Sequence, residues 1–231
     1  MKTMKSLLTL PLIIALSAAA HGQTSVSKDL YIDSGEKVKR NVSSVSGDIS
    51  IGKKARINGS VSTVSGDIEV GPRSQMENVE SVSGDIDLAK GAETGSVESV
   101  SGDIHLYGSN DINGRLKTVS GDITVEGGSR IDGSVITVSG DLELDDTRVM
   151  ENLQTVSGDI SLYNGTVVAG DILINRRRGN TFPMGKLEVV IDLNSVVKGS
   201  IRVTEDDTNV VVYLKNGGTV EGEIINAKVV Q

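Results

Sequence analysis

The stretch VSTVSGDIEV (Val61–Val70) decides the fold, because six other stretches of the chain are near copies of it. They are VSSVSGDISI (Val42–Ile51), VESVSGDIDL (Val79–Leu88), VESVSGDIHL (Val97–Leu106), LKTVSGDITV (Leu116–Val125), VITVSGDLEL (Val135–Leu144) and LQTVSGDISL (Leu153–Leu162). The Val of the V-S-G-D unit falls at positions 45, 64, 82, 100, 119, 138 and 156, so the period is 18 or 19 residues. A period of this length marks a repeat architecture, in which one unit is too short to bury its own apolar face and must stack on its neighbours.

Two residues per pleat put Ile49 and Ile51 on one face of a strand and Asp48 and Ser50 on the other. The apolar runs are β-branched and much shorter than a helix requires. The expected fold is therefore all-β: a single-stranded, right-handed parallel β-helix with one 18–19-residue coil per repeat, each coil rising about 4.8 Å. The right hand is favoured because the inward positions are unevenly spaced, whereas left-handed forms use regular six-residue sides. Ile49, Ile68, Ile86, Ile104, Ile123, Leu142 and Ile160 are expected to align in the core. Val61 and Val64 have opposite parity, so strict alternation cannot bury both, and a corner or bulge is expected at the Ser-Thr pair between them. Gly in S-G-D and N-G-S is read as supplying turn conformations that a Cβ would penalise.

The spacers repeat as well. Some end in I-N-G-S (Ile57–Ser60), I-N-G-R (Ile112–Arg115) or I-D-G-S (Ile131–Ser134), and two end in M-E-N (Met76–Asn78, Met150–Asn152). The one-residue change of period falls in a turn. After Leu162 the pattern decays. Val168–Ile172 reads as a degenerate V-S-G-D-I copy, followed by V-K-G-S-I (Val197–Ile201) and V-E-G-E-I (Val220–Ile224). The expected organisation is a signal peptide at 1–20, an N-terminal cap at 21–41, seven regular coils at 42–162, and degenerate C-terminal coils with a cap at 163–231. The polar residues Lys28, Asp29, Glu36, Lys37, Lys39 and Arg40 suit the N-terminal cap.

The signal peptide is read from a basic start, an apolar run from Leu7 to Leu16 and a small-residue exit at Ala18–Ala20. Its removal takes Lys2 and Lys5 with it and moves the formal charge from −8 to −10. The protein is then expected beyond the inner membrane, in the periplasm, at the outer surface or outside the cell, with no transmembrane segment in the mature chain. An acidic exported chain makes nucleic acid a poor partner. There is no Cys and no Trp, so disulfides and thiolate metal sites are excluded, and the core must be built from Val, Ile and Leu.

V-S-G-D-I blocks after a signal peptide resemble a family of bacterial β-solenoid proteins of unknown function described as adhesins. The resemblance covers roughly residues 30–225 and implies the solenoid architecture together with a role in attachment or scaffolding. Bactofilins are similar in repeat length but are cytoplasmic.

The residues that stand out chemically are repeated. Asp48, Asp67, Asp85, Asp103, Asp122, Asp141 and Asp159 are expected to line one edge. Carboxylates about 5 Å apart repel by roughly 1 kcal/mol, which an Asx turn at each Asp would offset; collection of divalent cations is the alternative. Ser46, Ser65, Ser83, Ser101, Ser120, Ser139 and Ser157 read as turn residues, since a nucleophilic Ser needs a neighbouring base. His105 is the only His of the repeat region and is expected on the surface. Tyr107 and Tyr163 occupy equivalent positions three coils apart. Arg176, Arg177 and Arg178 break the pattern and are a candidate contact for an anionic surface.

β-Helices also carry glycan-cleaving enzymes. Here the carboxylates repeat as scaffold, and aromatic platforms for sugars are scarce. The expectation is a non-catalytic exported envelope or cell-surface solenoid, with no cofactor and no metal. Its partner would be a macromolecular surface, a glycan or envelope component. A self-assembling periplasmic filament built from the same chain is the alternative, and an enzyme the third reading.

Overall fold

The computed structural model describes residues 23–176, 185–204 and 209–231; the expected signal peptide lies outside them. Every regular element among the described residues is a β-strand. One coil illustrates the rest: Val42–Ser44, Ile49–Ile51 and Arg56–Ile57 form three short strands separated by corners. The first strands of successive coils pair into an eleven-stranded sheet, the second strands into another, and the third strands into a shorter third face. That third face is a seven-stranded sheet and a two-stranded one, linked by isolated bridges from Arg56 through Gln75 to Glu93. All pairings are parallel and in register: Ile49 sits on Ile68, Ile68 on Ile86, Ile86 on Ile104. The molecule is a β-solenoid of about 10 turns.

The interior is a set of aliphatic ladders. Ile49, Ile68, Ile86, Ile104, Ile123, Leu142 and Ile160 are 0–1% exposed. Full burial of one such side chain stabilises by about 1.5–3 kcal/mol. Ile51, Val70, Leu88, Leu106, Val125, Leu144 and Leu162 form a second ladder on the same face, and Val42, Val61, Val79, Val97, Leu116, Val135 and Leu153 a third on the first face.

The structure resolves the parity conflict differently from the expectation. Alternation runs unbroken through the Ser-Thr pair: Val61 and Thr63 point inward, Ser62 outward, and Val64 is only half-buried. The corner lies one residue later, at 64–66. The seven blocks thus place an inward hydroxyl just before the corner: Ser44, Thr63, Ser81, Ser99, Thr118, Thr137 and Thr155 are all buried. In five of them the hydroxyl accepts the N–H of the Gly three residues on, as in Ser44 with Gly47 at 2.9 Å and Thr137 with Gly140 at 3.0 Å. A buried N–H left unpaired costs about 1–3 kcal/mol, so the inward hydroxyl satisfies a donor that an aliphatic side chain would orphan.

The S-G-D glycines are required by closeness rather than by φ. A Cβ on Gly140 would lie 1.8 Å from the Gly121 carbonyl oxygen, and one on Gly158 would lie 1.7 Å from that of Gly140. The left-handed glycines lie elsewhere, at the turn between the second and third faces, where Gly35, Gly91 and Gly128 have φ of 75–77°.

Three further registers differ from the sequence reading. Met76 is buried in the third face while Met150 is 40% exposed. The two M-E-N endings are not equivalent, because coil 135–152 drops its residue in the turn before the third face and coil 61–78 drops it after. Val168–Ile172 is not a copy of the V-S-G-D corner. Val168 pairs with Val149 and Ile172 with Leu153, so it is the corner from third face to first, like I-D-G-S. The later V-K-G-S-I and V-E-G-E-I continue that same corner. Both corners need an apolar residue, a small residue and a side-chain acceptor, which is why they read alike. At the other end, residues 23–38 form a coil of the stack, with Gln23 on Val42, Leu30 on Ile49 and Lys37 on Arg56. Ile32 and Val38 join the core, and the polar residues read as a cap are that coil's outward positions.

Candidate functional site

The Asp edge is built by the corner between first and second faces. Asp48, Asp67, Asp85, Asp103, Asp122 and Asp141 are exposed and Asp159 half-buried. Each carboxylate accepts the backbone N–H of the equivalent residue one coil further on, at 2.7–3.0 Å from Asp48 through Asp159. The ladder extends beyond the seven, with Asp29 accepting from Asp48 at 3.1 Å and Asp159 from Glu188 at 2.7 Å. The bond therefore runs along the solenoid axis rather than within each Asp's own turn, and in five of the seven coils the turn itself is closed by the buried Ser or Thr. The exposed Ser of V-S-G-D contributes less: Ser139 and Ser157 donate to the carbonyls of Val119 and Val138 at 3.2 and 3.3 Å.

A second polar ladder occupies the corner from third face to first, which sequence reasoning passed over. Asn41 Oδ1 accepts from Ser60, Asn78 Oδ1 from Ser96, Asn152 Oδ1 from Asp171 and Asp171 Oδ1 from Ser200, at 2.8–3.0 Å. The signal was the Asn, Ser or Asp that precedes almost every first-face strand.

The second face carries the outward row Ser50, Glu69, Asp87, His105, Thr124, Glu143 and Ser161, one per coil. At its edge the residue after each strand is Gly52, Gly71 and Ala89, then Tyr107. Small residues on three successive coils followed by a ring leave a shallow groove of about 350 Å³, lined by Ser50, Glu69, Gly71, Asp87, Ala89 and Tyr107. The rings of His105 and Tyr107 stack with centroids 3.9 Å apart at 25°. His105 Nε2 lies 3.3 Å from Glu126 Oε1. Partial burial raises the Asp87 carboxyl above its ordinary range, His105 and Tyr107 partly oppose this, and the Asp87 charge pushes the Tyr107 hydroxyl up in turn. His105 and Tyr107, read as isolated surface residues, are thus one aromatic wall beside carboxylates. Tyr163 sits at the same corner three coils on, beside Asp145. The groove offers hydrogen-bond acceptors and one aromatic face to a ligand. Among the described residues no group of three or more His, Cys, Asp or Glu is placed to hold a metal ion.

Arg176 does not lie on the surface. It is 3% exposed, and its Nη2 donates to the Gly185 carbonyl at 2.6 Å. The side chain ties the two ends of the segment that replaces the V-S-G-D corner in this coil, so it is structural; Arg177 and Arg178 lie outside the described residues.

No curated protein and no solved structure matches the chain. Residues 89–173 match the model of the family described as Toastrack DUF4097, whose function is unknown, and over those coils the chain is similar to that family.

Proposed function

We infer that the protein is a non-catalytic scaffold of the bacterial envelope or cell surface, exported by its N-terminal segment. It would hold an extended glycan or other envelope component along its second face. The observation that carries this reading is the row from Ser50 to Ser161 with its shallow groove. Side chains that can accept or donate recur about every 4.8 Å along a rigid line, and many weak contacts along one partner add through multivalency. The groove is open and of mixed polarity, unlike the enclosed, predominantly apolar sites that bury small ligands. The similarity to a solenoid family of unknown function is consistent with a scaffold.

The test is a panel of purified envelope polysaccharides, with retention on the protein and release of cleavage products measured together. Retention without product, weakened by Tyr107→Ala, supports the reading. Product release that disappears in Asp87→Asn or Glu126→Gln overturns it in favour of an enzyme.

The filament reading draws on a different observation. In the last coil Leu214, Val220, Ile224 and Ala227 are only partly buried and Val229 is 41% exposed, an apolar patch that end-to-end contact would cover. Sedimentation at increasing protein concentration separates the two, because a scaffold of fixed length keeps a constant size.

A further inference from the structure

We propose that the first two coils form a docking end for an anionic phospholipid surface. This goes beyond the second-face reading and uses other residues. Residues 33–60 hold six cations (Lys37, Lys39, Arg40, Lys53, Lys54, Arg56) against three acids, in a chain of net charge −8. Residues 126–152 show the reverse, two cations against seven acids. All six cations are exposed and lie on the third face or the turns flanking it. Arg73 and Lys90 extend the stripe to the next two coils.

Two of these cations stack on each other, and Lys54 stacks on Arg73 of the next coil, instead of being neutralised. Lys37 pairs in register with Arg56, Lys54 N–H donates to the Pro72 carbonyl, and Arg73 N–H to that of Lys90. Like charges therefore sit on successive coils about 5 Å apart. Among the described residues none of the six forms an ion pair, whereas Arg115 and Arg130 further along the solenoid pair with Glu98 at 2.9 Å and Asp132 at 2.6 Å.

The backbone adds a second indication. Lys54 and Arg73 have φ of 60° and 59°, in a column of left-handed turn positions that Gly35, Gly91, Ser109 and Gly128 fill on other coils. A side chain there costs about 1 kcal/mol or more. Two long basic residues are kept at the crest of the turn where glycine would be easier to fold.

A membrane fits this end better than a single acidic chain would. The cations spread over the third face and both turns that flank it rather than along one line. A planar anionic surface such as a bilayer can meet cations spread in this way together.

The test uses protein purified from cells expressing the full chain, co-sedimented with vesicles of equal parts phosphatidylglycerol and phosphatidylcholine, or of phosphatidylcholine alone. Binding is expected to need the anionic lipid and to be lost by about 0.5 M salt, where screening lengths shrink to a few ångströms. Lys53→Gln/Lys54→Gln should weaken it about thirtyfold, while Lys198→Gln/Lys215→Gln, the same charge change at the far end, should leave it unchanged. Lys54→Gly should fold at least as stably as the parent yet bind less. Equal binding to both vesicle types, or equal losses in both double variants, overturns the proposal. So does binding of an acidic polysaccharide such as alginate in place of the anionic vesicles. None of these outcomes bears on glycan retention at Tyr107, so each reading can fail alone.

Discussion

The backbone N–H of Asp122 donates to Asp103 Oδ1 at 2.8 Å, one coil away, which gives the carboxylate an axial role that its own turn does not require. Asp103→Ala should therefore orphan the Asp122 N–H and lower stability by about 1–2 kcal/mol. Asp103→Asn keeps the acceptor, removes repulsion from its stacked neighbours and should be close to neutral. Urea melts of both variants check this. Equal melting temperatures for the parent protein in calcium and in chelator are expected as well, since a cation held by the folded ladder would raise stability by linkage.

Gly140→Ala should be among the most damaging single changes available. Its methyl would meet the Gly121 carbonyl at 1.8 Å, which demands that two coils separate, and a loss of about 3 kcal/mol or more is expected. Gly127→Ala, whose nearest neighbour would be 3.8 Å away and whose φ is not left-handed, is the matched control and should melt like the parent. Equal effects would mean that closeness is not what selects glycine.

Ile104→Asp introduces a charge into a fully enclosed ladder between Ile86 and Ile123. A cost of several kcal/mol follows from an unpaired buried charge. A melting temperature within a degree or two of the parent would contradict the stacked core.

The groove carboxylate gives a pH signature. Burial raises the folded-state pKa of Asp87 above the ordinary range of an aspartate. Between the unfolded and folded values the native state binds the extra proton, so its stability falls as pH rises through that window and stays lower above it. Asp87→Asn should therefore raise the melting temperature slightly near neutral pH, and the gain should vanish below about pH 3.8. A gain that persists unchanged in acid would assign it to something other than this ionisation.

Arg176→Ala removes a buried guanidinium that holds the Gly185 carbonyl. Lower stability with unchanged binding to anionic vesicles is the expected result. The reverse pattern would return Arg176 to the surface role suggested by its neighbours in sequence.

The solenoid, its period and its main aliphatic ladder were legible because each is repeated seven times, and a repeat averages out local ambiguity. What escaped was information carried by one atom or one residue of register. The inward Ser44–Thr155 ladder looks polar and so reads as outward; only the unpaired Gly N–H beside it explains the inversion. Val168–Ile172 has the chemistry of both corners, and strand pairing alone distinguishes them. The groove depends on Gly52, Gly71 and Ala89 lining up before Tyr107, which requires knowing that these four share a column. Arg176 was misplaced because a triplet of arginines resembles a solvated loop until the carbonyl it caps is seen.

The axial direction of the Asp and Asn ladders means that every coil is bonded only to the coil before and the coil after. Such a molecule behaves as a ruler. Inserting or deleting one whole coil should change its length by about 4.8 Å while leaving its cross-section and the chemistry of its sides untouched. Distance between the basic end and the far end of the second face is thus a quantity that gene duplication can set in fixed steps. A cut in the middle, by contrast, should yield two shorter rulers, each fraying from the break.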